Sequence, residues 1–231
     1  EMPPTFGTAP ELVQAIMAGG KTAILRAKEG AEDNYTQGAR SIKRIKPGRH
    51  DVVVGVSASG MTPFVRGALT SARGAGARII FVTCDPRSEL QSFVDLTIAP
   101  AVGPEAIAGS TRLKAGTATK LVLNTLTTAA MVLIGKTYGN LMVDVRTGSD
   151  KLRDRARRMV HIVTGLELEA TDALLKRAHW NVKAAIVMQK TGLPYQKALG
   201  RLRAAGDRLR DAIGEDIEPR LRALLEGSAP R

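Results

Sequence analysis

The chain has 231 residues and 24.6 kDa, with 44% hydrophobic and 24% charged residues, a balance that excludes intrinsic disorder and leaves room for one ordinary domain plus a small second one. Its net charge is +12, but only 3% of residues are aromatic, which leaves few stacking platforms for single-stranded nucleic acid. One cysteine, Cys84, and three scattered histidines, His50, His161 and His179, exclude a disulfide framework and argue against a metal site, and no apolar run reaches the roughly 20 residues of a membrane span.

Residues 10–46 predict two helices, the first over 11–18 behind Pro10 and broken by Gly19-Gly20, the second ending near Ile45 with Asp33 as cap. Residues 51–56 form a β-branched apolar run of the kind buried on both faces of a parallel sheet. A helix follows over 63–75, then a strand over 78–83, a short helix over 87–94, a strand over 96–99 and a long helix over 112–136, in which Met131, Leu133 and Ile134 read as core. Alternating strands and helices predict an α/β unit with a mainly parallel sheet. From Ser149 onward the strand signal vanishes. Helical segments over 151–163, 169–178, 182–189 and 194–205, separated by Gly165, Asn181 and Gly192, predict a compact helical appendage. Trp180 reads as its packing anchor with His179 at the indole edge, and residues 215–231 are expected to fray. Arginines beside alanines in these helices (Arg153, Arg155, Arg157, Arg158, Arg201, Arg203, Arg208, Arg210) read as a solvated face, and Cys84 as a small buried hydrophobe.

Two loops are candidates for holding an anion. The first, Val56-Ser57-Ala58-Ser59-Gly60-Met61-Thr62-Pro63, leaves a strand end and enters a helix with Thr62 as N-cap and Pro63 at the first helical position. Small residues, hydroxyls and the positive helix end suit an anion, and they equally suit a plain turn and cap. In the second, residues 103–120, Ser110 and Thr111 open a helix whose first turns carry Arg112 and Lys114. Cations there oppose the helix dipole unless an anion offsets them, which points to a ligand. Lys120 reads as a solvated helix residue.

The run from Gly103 to Lys120 (GPEAIAGSTRLKAGTATK) closely resembles the signature of the N-acetylmuramic acid 6-phosphate etherases, of which the animal glucokinase regulatory proteins share a version. Glu1-Met2-Pro3-Pro4-Thr5-Phe6-Gly7, Glu29-Gly30-Ala31-Glu32-Asp33, the 56–63 loop and Tyr138-Gly139-Asn140-Leu141-Met142-Val143-Asp144-Val145 agree with the same family, so that the resemblance spans residues 1 to about 212. It implies a doubly wound, sugar-isomerase (SIS) type α/β sandwich over 1–148, a small all-α domain similar to ubiquitin-associated domains over 149–214, and a disordered tail over 215–231. It further implies a cytoplasmic homodimer that acts on a phosphorylated amino sugar, with no cofactor, metal, nucleic acid or membrane involved. Family members carry an additional N-terminal quarter with a first strand and a sugar-phosphate loop. A chain starting at Glu1 is therefore expected to be a fragment or processed form, with an unpaired sheet edge and weak or no activity by itself.

The family reaction cleaves the lactyl ether of N-acetylmuramate 6-phosphate with water, which requires one group poised as acid and one as base. By motif Glu1 falls at the proton-donor position and Glu32 at the second catalytic glutamate, assigned here as the base. Read without the family, Glu32 is an ordinary helix-flanking acid, and Glu29 is its rival one turn away. The resemblance makes Ser57, Ser59, Gly60 and Thr62 candidates for the phosphate or sugar hydroxyls, and Glu105, Ser110, Thr111 and Arg112 candidates for the other end of the pocket. Arg112 suits the lactyl carboxylate by its guanidinium fork, or it bridges to Glu105. Rival readings are a non-catalytic sugar-phosphate sensor, a SIS-type isomerase or deaminase, and a nucleic-acid-associated regulator. The presence of both glutamates favours the enzyme over the sensor; the 103–120 run favours it over the isomerase; and Gly165, Gly192 and Gly200 break the helices a DNA reader needs.

Overall fold

Prolines at positions 3 and 4 suit the first turn of a helix, where no intrahelical donor is needed, and the short helix α1 (Met2–Phe6) forms there. The computed structural model describes residues 2–219, 221 and 222, and these fold as two compact units, one of Ala15–Leu126 and one of Glu1–Gln14 with Thr127–Arg231. The predicted helix over 11–18 does not form. A 3₁₀ turn (Pro10–Leu12) and another (Lys21–Ile24) stand on either side of irregular chain, while Leu12, Val13, Ile16 and Met17 lie exposed. A short amphipathic stretch with no face buried lacks the packing that stabilises helices of this length, and Gly19 and Gly20 both take positive φ.

In the first unit, helix α2 (Tyr35–Ile45) is capped by Asn34, one residue beyond the predicted Asp33, whose side chain accepts from the Gln37 N–H at 2.8 Å. Strand β1 (Val52–Val56), helix α3 (Pro63–Gly74), strand β2 (Arg78–Val82) and strand β3 (Leu96–Ile98) follow the predicted order. The segment predicted as a short helix before β3 is a 3₁₀ turn (Glu89–Phe93). The strands are parallel in the sequential order β1-β2-β3, Val54 pairing with Ile80 and Ile80 with Leu96. The described sheet thus winds in one direction, with β1 and β3 as its edges. Its core joins Ile42, Ala68, Leu69, Ala72, Ile79, Phe81 and Leu90. Helix α3 lies so close over the sheet at Gly55 that a Cβ there would come 2.7 Å from Leu69 Cδ1.

Helix α4 (Lys114–Leu133) ends before Gly135, which has φ +77°. Met131 is buried as expected, but Leu133 and Ile134 are 71% and 46% exposed and do not belong to the core. An apolar residue alone does not specify a face when the helix carries apolar residues all round.

The second unit adds α5 (Asp150–Thr164), α6 (Leu168–Arg177), α7 (Val182–Thr191), α8 (Tyr195–Ala204) and an unpredicted α9 (Leu209–Ile213). The punctuation acts as read: Gly165 and Gly192 end α5 and α7 in the left-handed region, and the Asn181 side chain caps α7 by accepting from Ala184. Helix α7 is the hub, with 182–188 all buried among Val160, Leu174, Leu175, Leu202 and Leu209. Trp180 packs against this core and carries the Arg153 and Arg157 guanidinium groups over its ring at 5.1 and 5.2 Å. These two arginines cover an aromatic face and are not simply solvated. His179 packs against Tyr195, with ring centroids 4.9 Å apart and ring planes tilted by 59°. In the stretch expected to fray, Ile217 is buried and the Glu215 carbonyl accepts from the Tyr138 hydroxyl at 2.8 Å. Residues 220 and 223–231 lie outside the described residues. No helix among the described residues is long and apolar enough to cross a membrane.

Candidate functional site

The carboxyl ends of parallel strands are where an open α/β sheet presents its loops to a ligand. Beyond β1 the chain makes a tight turn: Ser57 N–H donates to Val82 O at 3.0 Å, and Gly60 N–H returns to Ser57 O at 3.1 Å. Ser57, buried, shares a 2.7 Å hydrogen bond with the Thr62 hydroxyl. Thr62 is the N-cap residue of α3, but its hydroxyl is spent on Ser57 and does not cap the helix. Gly60 has φ +75°, and a Cβ there would meet Ser88 Cβ at 2.5 Å, so only glycine fits. Ser59 is exposed at the tip.

Glu32 reaches this loop through its backbone. Its carbonyl accepts from Phe64 N–H at 2.9 Å in the first turn of α3, while its side chain is exposed. The contact depends on how α2 and α3 cross: a Cβ on Gly38 would lie 2.0 Å from Phe64 O, and one on Gly67 would lie 2.1 Å from Tyr35 O. Two glycines on facing helices let the backbones touch, which brings the 29–33 segment beside the 57–62 loop.

The start of α4 resolves differently from the expectation. The Glu105 carboxylate accepts from Lys114 N–H through one oxygen and Ala115 N–H through the other, each at 2.9 Å. These two backbone donors, and then the Lys114 charge, hold the Glu105 carboxyl below the ordinary glutamate range. The helix therefore begins at Lys114, after Ser110, Thr111 and Arg112, and the anion that its end calls for comes from the chain itself. Arg112 makes no bridge to Glu105; it lines an open depression of ≈ 520 Å³ with Leu113, Lys114, Thr117, Ala118 and Leu121. Ser110 and Thr111 hold the turn that precedes the helix, with Thr111 O accepting from Gly116 N–H at 2.9 Å.

The two loops are joined by residues that the sequence reading did not single out as functional. Cys84 N–H donates to Ala58 O at 3.0 Å, and its thiol lies 3.8 Å from Ala115 O. Ser88 Oγ donates to Gly60 O at 2.7 Å, and Thr83 Oγ1 lies 3.4 Å from Ala58 O. Their signal was available: Thr83, Cys84 and Ser88 follow the carboxyl end of β2, the same rim that made the first loop a candidate. The structure thus brings Glu32, Ser57, Gly60 and Thr62 together, and connects them through Cys84 to the helix start that Glu105 holds. Glu1 lies outside the described residues. No cluster of His, Cys, Asp and Glu among the described residues is arranged to hold a metal ion.

The profile of the glucokinase regulatory protein N-terminal SIS domain matches residues 5–73. The chain is 49% identical, over 94% of its length and 71% of the relative, to an N-acetylmuramic acid 6-phosphate etherase 2 of Vibrio cholerae serotype O1. It is 48% identical over 94% of its length, and 72% of the relative, to an N-acetylmuramic acid 6-phosphate etherase of Alkaliphilus metalliredigens. A relative of the same name from Salinibacter ruber is 51% identical, with 94% of this chain and 70% of the relative covered.

Proposed function

This chain belongs to the N-acetylmuramic acid 6-phosphate etherase family, a family of lyases, and from that premise we propose that it releases D-lactate from N-acetylmuramate 6-phosphate with the 57–62 rim loop and Glu32 at the reacting sugar. The observation that carries the reading is identity near one half across 94% of the chain with etherases from three different bacteria.

The chemistry follows from the substrate. Opening of the sugar ring exposes an aldehyde at C1, which acidifies the proton on C2. Glu32, exposed beside the first turn of α3, takes that proton. The electron pair of the C2–H bond forms a C2–C3 double bond, the C3–O bond breaks, and the departing oxygen takes a proton from Glu1 as lactate leaves. Water then adds its oxygen to C3 and a proton returns to C2, giving N-acetylglucosamine 6-phosphate. The exposed Ser59 hydroxyl, and the one hydroxyl proton that the Ser57–Thr62 pair leaves undonated, offer donors to the phosphate or the sugar hydroxyls at the positive end of α3, in a turn that Gly60 shapes. Ser110, Thr111 and Arg112 face the lactyl end, with Arg112 free of any partner among the described residues to pair the carboxylate. Glu105 serves the site through the helix start that it holds.

The same reading takes residues 1–148 as a doubly wound SIS domain, 149–214 as a helical domain similar to ubiquitin-associated domains, and the working form as a cytoplasmic homodimer. The test is to incubate the chain, and a parent extended to the length of its relatives, with N-acetylmuramate 6-phosphate and to assay D-lactate, with release expected from the parent and weak or no release from the chain by itself. Glu32→Gln is expected to lower release by about a hundredfold or more. Undiminished release from that variant would remove Glu32 from the chemistry. The match to the glucokinase regulatory protein domain favours a second reading, a sensor that binds phosphosugar without cleaving it. Saturable binding of the sugar phosphate by the extended parent with no lactate formed would select the sensor.

A further inference from the structure

A carbonyl oxygen carries partial negative charge, so a loop that offers backbone N–H groups to a phosphate must point its carbonyls elsewhere. In the 57–62 loop that direction is set by one segment, residues 83–88, which follows β2. Ala58 O accepts from Cys84 N–H at 3.0 Å, and Gly60 O accepts from Ser88 Oγ at 2.7 Å. A trans peptide holds its C=O and N–H on opposite sides, and no peptide bond among the described residues is cis. Fixing Ala58 O and Gly60 O against residues 83–88 therefore turns Ser59 N–H and Met61 N–H away from them. Neither of those two N–H groups has an acceptor among the described residues.

The two anchors differ in kind. Cys84 donates from its backbone, a donor that any residue but proline would supply, whereas Ser88 donates from its hydroxyl. Ser88 is buried and stands before the 3₁₀ turn Glu89–Phe93, yet its hydroxyl caps none of that turn's N–H groups and goes to Gly60 instead. A tight local turn places it: Asp85 N–H donates to Thr83 Oγ1 at 3.1 Å, Arg87 N–H to Asp85 Oδ1 at 3.0 Å, and Ser88 N–H to Asp85 O at 3.3 Å. The anchor has work to do because Gly60, at φ +75°, has the freedom to let its peptide with Met61 turn over. That flip would aim Gly60 O where Met61 N–H now points. We propose that Ser88 is a positioning residue for the phosphate end of the sugar, holding the Gly60–Met61 peptide with its N–H outward. The proposal rests on the reading above only in taking a phosphosugar as the ligand.

The phosphate is remote from C2 and C3, so its contacts are made equally before and during the reaction and are read in KM and not in kcat. In the parent extended to the length of its relatives, Ser88→Ala is expected to raise the Kd for N-acetylglucosamine 6-phosphate about tenfold by calorimetry. KM for N-acetylmuramate 6-phosphate should rise by a similar factor, with kcat within about twofold of the parent. Inhibition by D-lactate, which carries no phosphate, should not move. Ser88→Cys keeps a weaker donor of similar size and is expected to limit the rise in Kd to about threefold. Should Ser88→Ala fail to fold, that variant decides, and a Kd equal to the parent's overturns the proposal. An unchanged Kd in Ser88→Ala, equal weakening of N-acetylglucosamine 6-phosphate and D-lactate, or a fall in kcat with KM unmoved would each overturn it as well. A parent that binds the phosphosugar with the expected dependence on Ser88 but releases no lactate overturns the etherase reading and leaves this proposal standing. Lactate release with no such dependence does the reverse.

Discussion

Glu105 shows how one side chain can satisfy what looked like a call for a ligand. Its carboxylate spans two of the N–H groups that open α4, and ionisation is favoured because those donors reward the charged form. Since the folded protein holds this carboxyl below its unfolded value, the stabilisation is complete above the unfolded value of 4.5 and is lost as pH falls through the lower folded one. Glu105→Ala is therefore expected to lower the urea midpoint at pH 7, with the gap to the parent closing in acid; a gap independent of pH would contradict this assignment. Gly60 is the second residue on which the site turns. Gly60→Ala forces a Cβ into Ser88 at a backbone angle that alanine resists, so weaker phosphosugar binding is expected by calorimetry even where the sheet survives.

Among the elements, the crossing of α2 and α3 matters most for the site, because it sets Glu32 against the start of α3. The crossing admits no side chain at Gly38 or Gly67, where the neighbouring atoms are backbone carbonyls that cannot rotate aside. Overpacking of this kind costs about 1–3 kcal/mol, and Gly67→Ala is expected to show that loss in urea unfolding together with reduced turnover. A variant as stable as the parent would mean that the helices separate without penalty. Helix α7 has the same standing in the second unit. Replacing Lys183 by Met leaves Asp207 O without its donor and Asp144 with one cation in place of two, and a loss of about 3 kcal/mol is expected by thermal unfolding.

For the molecule as a whole, the second unit is closed by long-range polar contacts as well as by its apolar core. The buried Tyr138 hydroxyl donates to Glu215 O across 77 positions of sequence. Burial, then the nearby charges of Glu215 and Asp216, push its ionisation up to about 12. The neutral phenol is thus the folded form's preference. Its contribution is intact below the unfolded value of 10.0 and is lost as pH rises through about 12. Alkaline titration by ultraviolet absorbance is expected to show one tyrosine that ionises only near that pH, and Tyr138→Phe should abolish the late step. A titration identical in the variant would show that this hydroxyl is not shielded.

Local chemistry accounts for what could be read from residue order. Strands β1, β2 and β3 follow from β-branched runs between turn residues, and Gly165, Asn181 and Gly192 stop and start helices by backbone rules that act within a few residues. The rim loop was legible as well, since a strand end, a Ser-x-Ser-Gly turn and Pro63 are neighbours in sequence. Everything that depends on distant residues meeting came only with the folded chain. Residues 11–18 have an amphipathic pattern but no surface to bury it on; Leu133 and Ile134 sit on a helix whose faces are told apart only by what packs there; and Glu105 reaches donors nine positions away. The hydrogen bond from the Arg146 guanidinium to Thr8 O joins positions 138 apart, and pairing at that range leaves no periodicity in the sequence. Propensity and capping are written locally, whereas contact is decided by the one packing that satisfies all the elements at once.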